Sequence, residues 1–207
     1  ARVTSFAPGA PSRLTVTTPD GEVEIRTRLI VGADGRASAT RDWIEAETLA
    51  DPQHHAIGGC LIEGVAVDDA SSHMATFAGG FVLLFPQGAG RARAYVICQM
   101  ELAERLRGRA NIDAFIQQCA DALPEGAVPA RETHAVGPLA FFSNANTWAD
   151  RIAGNGVVLI GDAAGANDPS MGHGLSICFR DTRELRDALL DDADWTVAVE
   201  RYTARRN

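Results

Sequence analysis

Val157-Val-Leu-Ile-Gly-Asp-Ala-Ala-Gly165 and its continuation, Ala166-Asn-Asp-Pro-Ser-Met-Gly-His-Gly-Leu175, decide the fold of this chain. Val157 to Ile160 is an uninterrupted apolar run, as a buried strand requires. The small residues that follow cannot extend it, and beyond Gly174 the period changes. Leu175, Cys178, Phe179, Thr182, Leu185 and Leu189 fall on one stripe, with Arg180, Arg183, Glu184, Arg186 and Asp187 on another, which predicts an amphipathic helix. A strand that enters a small-residue loop and then a helix start suits a polar or anionic ligand. The first N–H groups of a helix have no intrahelical acceptor and carry roughly half a positive charge. Gly172 and Gly174 let a flat ligand approach the backbone closely. Asp162, at the carboxyl end of the strand, can accept from a ligand hydroxyl, a charge-assisted bond worth about 1.5–3 kcal/mol. A GxG pair alone is usually a tight turn. The third glycine of a GxGxxG fingerprint would fall at Ile177, so this loop is not that fingerprint.

Upstream, Leu29-Ile-Val31 is a second apolar run, expected to be a strand buried on both faces. It ends at Gly32-Ala-Asp-Gly35, and Ser38 stands near the N-cap of a short helix containing Thr40, Arg41, Trp43 and Ile44. Leu14 to Thr18 and Val23 to Ile25 alternate around Pro19-Asp20-Gly21, which predicts a hairpin. Residues 54 to 100 read as strands separated by glycine-rich or polar turns, an antiparallel sheet. Ile112, Phe115, Ile116, Cys119 and Leu123 recur at helical spacing until Pro124 and Gly126. Residues 131 to 142 are extended again, and Gly154-Asn155-Gly156 turns the chain into the strand at 157. The expected class is therefore α/β (α+β), with residues 1–50 and 144–207 forming one domain and 51–143 a β-rich insertion.

Composition narrows the partners. The 207 residues are 46% apolar, enough to bury a core, and 19 basic residues against 27 acidic ones give a net charge of −8. With no basic patch, a nucleic-acid backbone is not an expected partner. No apolar run approaches the ~20 residues of a membrane span, and no basic-then-apolar leader is visible. The expected location is the cytoplasm. Cys60, Cys98, Cys119 and Cys178 show no CxxC spacing and read as buried free thiols. No metal is expected, since the adjacent pair His54-His55 would diverge on a strand.

Gly161-Asp162-Ala163-Ala164, then Pro169, then Gly172-His173-Gly174-Leu175, resembles the GD motif of FAD-dependent monooxygenases of the aromatic-hydroxylase class, similar to para-hydroxybenzoate hydroxylase. Leu29 to Gly35 with Ser38 and Arg41 resembles that family's DG motif, in the expected order and with a β-rich insertion between. The resemblance implies part of an FAD/NAD(P)-binding Rossmann-like domain with an inserted antiparallel-sheet substrate domain. It implies that Asp162 holds the ribityl chain of FAD, and that Gly172 to Leu175 lie against the flavin ring with the helix start facing its N1 and C2 carbonyl edge. It assigns Asp34, Gly35, Ser38 and Arg41 to FAD and NAD(P)H binding, with Gly161, Ala163, Pro169 and His173 in the flavin loop. Gly165 departs from the pattern, standing where many relatives have His. The implied reaction is hydroxylation of a small organic, aromatic substrate, with NAD(P)H as reductant and O2 consumed through a flavin C4a-hydroperoxide. The resemblance further implies an interior portion of a longer enzyme, whose ADP-binding GxGxxG unit lies outside these residues. A GD-motif halogenase, a prenyl-chain reductase and a noncatalytic flavin-fold module remain alternatives. Halogenation needs a lysine, and all 19 basic residues here are Arg.

Overall fold

Two separate hydrophobic cores divide the chain. A computed structural model describes residues 1–206, which form one unit from residues 1–51 with 146–206 and a second from residues 52–145.

The first unit opens with an antiparallel sheet of β1 (Arg2–Ala7), β2 (Ser12–Thr18) and β3 (Gly21–Thr27), in that order. The expected hairpin is β2–β3, closed at Pro19-Asp20. The strand β1 was not expected, because its alternation is short and polar. It is anchored by Phe6, whose ring stacks on Trp43 at 4.9 Å. β4 (Ile30–Gly32) leads to α1 (Thr40–Trp43) and β5 (Thr48–Ala50).

The chain then enters the second unit. β6 (His55–Glu63), β7 (His73–Phe77), β8 (Gly80–Gly88) and β9 (Arg91–Gln99) precede α2 (Met100–Leu106) and α3 (Ile112–Ala122). β10 (His134–Ala135) and β11 (Ala140–Ser143) return to β6, giving an antiparallel sheet ordered β10-β6-β9-β8-β7 with β11 also paired to β6. The apolar period read over 112–123 is the buried side of α3, where Phe115, Ile116 and Cys119 pack on Ala94, Val96 and Cys98 of β9. Phe115 and Phe141 meet edge to face. Gly58 makes room for that contact, because a Cβ there would overlap the Phe141 ring.

Back in the first unit, β12 (Thr147–Ala149) pairs with β5 and with β15 (Gly165–Ala166), and β13 (Ala153–Gly154) turns into β14 (Val157–Leu159). β14 runs parallel to β4. The helices α4 (Gly174–Asp191) and α5 (Trp195–Arg206) complete the unit. Its core gathers Ile30, Ile44, Val157 to Ile160, Leu185 and Tyr202. Gly32 permits the close fit of β4 to α1, since a Cβ would strike the Thr40 hydroxyl and come within 2.7 Å of Leu159.

Two expectations need correction. The run Leu29–Val31 is not buried on both faces: Ile30 is buried, but Val31 is 43% exposed. Along β4, at the edge of the sheet β13-β14-β4, Ile30 and Gly32 face the core and Val31 faces away from it. The stripe read on α4 is also rotated. Leu175 and Phe179 are exposed at 64% and 66%, while Asp181, Leu185 and Ala188 face inward. A buried acid on that face, paired as described below, displaced the purely apolar reading.

Among the described residues no helix is long and apolar enough to cross a membrane, and no three His, Cys, Asp or Glu side chains gather as a metal site. Cys60, Cys98 and Cys119 are buried free thiols, and Cys178 is a half-buried one.

Candidate functional site

β4 and β14 are adjacent and parallel, so the loops at their carboxyl ends emerge side by side. That is where an open α/β sheet presents a ligand site. The first of these loops is organised by Asp34. Its carboxylate accepts from the Ser38 hydroxyl at 2.7 Å, the Thr40 hydroxyl at 2.6 Å and the Thr40 N–H at 3.0 Å. Burial alone would push this carboxyl up. The hydrogen bonds from Thr40 and Ser38 outweigh burial and hold it below the usual carboxylate value. Ser38 in turn accepts from the Arg41 N–H at 3.1 Å, so it caps the start of α1 although Ala39 occupies the N-cap position.

Arg41 joins the two loops. It is buried, and its guanidinium donates through Nε and Nη2 to the Ala163 carbonyl at 3.0 and 2.9 Å, and through Nη2 to the Asp162 carbonyl at 3.2 Å. Nη1 donates to the Thr48 hydroxyl at 2.9 Å. Two segments more than a hundred residues apart are thus fastened by one planar fork. Asp34, Ser38 and Arg41 spend these polar atoms within the loops.

The second loop is held from below as well. Gly161 takes φ +56, and a Cβ there would lie 3.1 Å from the Cys178 sulfur. Its N–H donates to Asp181 Oδ2 at 3.0 Å. Asp181, only 1% exposed, also accepts from Arg206 Nε at 2.8 Å and Arg180 Nη2 at 3.2 Å. Tyr202 donates its hydroxyl to the Leu159 carbonyl at 3.0 Å. Burial first, and then the neighbouring Asp181 charge, push that phenol well above its ordinary value. Asp181, Tyr202 and Arg206 were missed in the sequence. For Asp181 a signal existed: Cys178, Asp181, Leu185 and Ala188 follow helical core spacing, and a charge at an inward position needs partners.

The upper surface of this loop is open. Asp162 is exposed, and its carboxylate lies beside the start of α4, with Oδ1 3.8 Å from where a Gly174 Cβ would stand. Asp168 accepts from the Ser170 N–H at 2.8 Å, shaping the turn Pro169–Met171. That turn closes on Gly172, whose N–H donates to the Pro169 carbonyl and whose backbone is left-handed at φ +67. Nothing lies within 4 Å of where a Gly172 Cβ would be, nor of Gly35, at φ +81 in the neighbouring loop. His173 and Leu175 are exposed. α4 begins with no side-chain cap and no acid in its first turn. The Ser170 hydroxyl is buried with no hydrogen-bond partner among the described residues. A larger residue at Gly165 would be tight, since a Cβ would sit 3.2 Å from the Thr147 carbonyl and 3.4 Å from Trp148 Cβ.

Residues 7–195 match the family described as FAD binding domain. The chain belongs to that family. A digeranylgeranylglycerophospholipid reductase from Methanococcoides burtonii is 29% identical over 162 residues, covering 73% of this chain and 36% of the relative. A probable FAD-dependent monooxygenase from Pseudomonas aeruginosa is similar in structure, with TM-score 0.75, 23% identity, and coverage of 99% of this chain and 58% of its own. A flavin-dependent brominase variant aligns with TM-score 0.81 at 15% identity, over 99% of this chain and 55% of its own. This FAD-binding domain therefore spans about half, or less, of the proteins it matches. The residues present fit the cofactor. An uncapped helix start, an open glycine backbone and a free-standing carboxylate at a strand end are what a flat, polyhydroxylated, anionic molecule requires.

Proposed function

We propose that the protein carrying this domain is an FAD-dependent monooxygenase that uses NAD(P)H and O2 to hydroxylate a small organic, aromatic substrate. The observation that carries the reading is the Asp162–Leu175 loop, exposed above and fastened below by Arg41 and Asp181. FAD, when bound, supplies the redox and oxygen chemistry. In this assignment Asp162 accepts from ribityl hydroxyls. Gly172 and Gly174 bring backbone against the ring, and the start of α4 stabilises negative charge at the ring edge by about 0.3–2 kcal/mol. Pro169, Gly172, His173 and Leu175 form the rim. Asp34, Ser38 and Arg41 act through the loops they hold, and Gly35 and Gly161 supply the left-handed backbone those loops need. Substrate contacts are assigned to the sheet of the second unit.

Titration of the full-length apoprotein with FAD tests the core of this reading. Asp162→Ala is expected to weaken binding at least about tenfold, the loss of one charge-assisted hydrogen bond; an unchanged titration would refute the role. A second reading, reduction of a prenyl-chain substrate, is favoured by the 29% identity to the reductase. Incorporation of labelled oxygen from O2 into product supports the monooxygenase. Substrate reduction without O2 uptake supports the reductase instead.

A further inference from the structure

The two faces of the second unit's sheet differ, and strand alternation assigns each residue to one of them. On β9, Ala92, Ala94, Val96 and Cys98 are fully buried in the core shared with α2 and α3. Arg93 and Tyr95 therefore point to the other face. Leu61 of β6 and Phe85 of β8 are in register with Arg93 on either side. Phe85 meets Tyr95 edge to face with ring centroids 6.0 Å apart. Tyr95 leans over β6 at Gly59, where a Cβ would come within 2.8 Å of the ring. Arg91, on the same face, stands exposed at the start of β9 opposite Glu63. The result is an apolar, partly aromatic surface with Arg93 set into it.

That cation has no acid partner. Arg93 is half-buried, its guanidinium 5.8 Å from the Tyr95 ring centroid, and it forms no ion pair among the described residues. Glu63, the acid on the same face, stands opposite Arg91 and does not pair with Arg93. An arginine stays charged at any ordinary pH. Placing it among Leu61, Phe85 and Tyr95 costs hydration that only a weak ring contact offsets. An incoming anion would recover that cost and gain a charge-assisted hydrogen bond.

We infer that this face binds a small amphiphile: its apolar body lies across Leu61, Phe85 and Tyr95, and its anionic head pairs with Arg93. Arg93 is then the residue that selects acidic over neutral substrates. That this amphiphile is the substrate rests on the proposed flavoenzyme reading; that the face binds it does not.

The test compares two fluorescent probes of the same arene framework on the full-length protein, anilinonaphthalene sulfonate and uncharged N-phenylnaphthylamine. The sulfonate should bind at least about tenfold more tightly, as one charge-assisted contact allows. Arg93→Gln should bring the two within about threefold of each other, and Arg93→Lys should keep part of the preference. Arg28→Gln removes the guanidinium stacked 3.8 Å over Trp195 in the first unit, and should change nothing. Should Arg93→Gln fail to fold, Arg93→Met makes the same comparison with the stem kept. A preference that survives loss of the Arg93 charge overturns the inference, as does failure of both probes to bind. FAD titration of the same preparations separates the two proposals. Flavin binding lost with the preference intact defeats only the flavoenzyme reading, and the converse defeats only this one.

Discussion

Asp34 shows how a residue at a ligand site can serve the fold first. Its three short hydrogen bonds rigidify the turn that presents Gly35, and Arg41 transmits that order to the second loop through the Asp162 and Ala163 carbonyls. Because the hydrogen bonds hold the folded carboxyl below its ordinary value, the stability gained from Asp34 is fully present above the unfolded value. It is lost as pH falls through the folded one. Thermal melts should therefore show the wild type losing stability below about pH 4, with Asp34→Asn less stable at neutral pH and the gap closing in acid. A gap that stays constant from pH 7 to pH 3 would remove the carboxylate from this account. The residue pair Gly161 and Asp181 makes a complementary point. A left-handed glycine beside Cys178 is legible from sequence as a turn, but its partner is an acid on α4, twenty residues on, and only the inward spacing of Asp181 betrays it.

At the level of elements, the strands and helices followed largely from residue patterning, and the exceptions have physical causes. The β2–β3 hairpin, the antiparallel strands of residues 54 to 100, α3 and the start of α4 at Gly174 follow from period and turn residues. β1 was missed because Arg2, Thr4 and Ser5 dilute its alternation, and Phe6 packs on a residue far along the chain. Val31 was expected inside because an apolar run cannot say whether one face of a strand or both will be covered. From α5, Tyr202 reaches back to β14, and Arg206 to Asp181 of α4 and to the Gly161 carbonyl in the loop after β14. That linkage is measurable. Tyr202→Phe removes the donor to the Leu159 carbonyl inside the core, and should cost about 1–3 kcal/mol in urea unfolding. An unchanged midpoint and slope would mean that α5 is held by packing alone. The open surface formed by Gly172 and the α4 start depends on φ angles and on an empty cap position, which no pattern of residue types displays.

For the molecule as a whole, the cysteines report on the two cores separately. Cys60, Cys98 and Cys119 are all in the core of the second unit, contributed by β6, β9 and α3, whereas Cys178 belongs to α4 in the first. Burial pushes the Cys98 thiol up to about 11 and the Cys119 thiol to about 12, and raises Cys60 as well. The thiolate is the reactive species, so all three are doubly protected, by access and by protonation. If α2, α3 and the sheet form one cooperative unit, opening it exposes the three thiols in a single event. Pulsed alkylation along a urea series, read by mass spectrometry, should therefore give chains carrying none or all three labels at these positions, with few intermediates. Labelling of Cys119 before Cys60 and Cys98 would instead mean that α3 detaches from the sheet as a separate step. The packing of Phe115 on Phe141, with Gly58 shaped to receive it, argues against such a step. The apolar face that carries Arg93 shares its strands with this core, so its geometry should persist to the same urea concentration at which the three thiols appear.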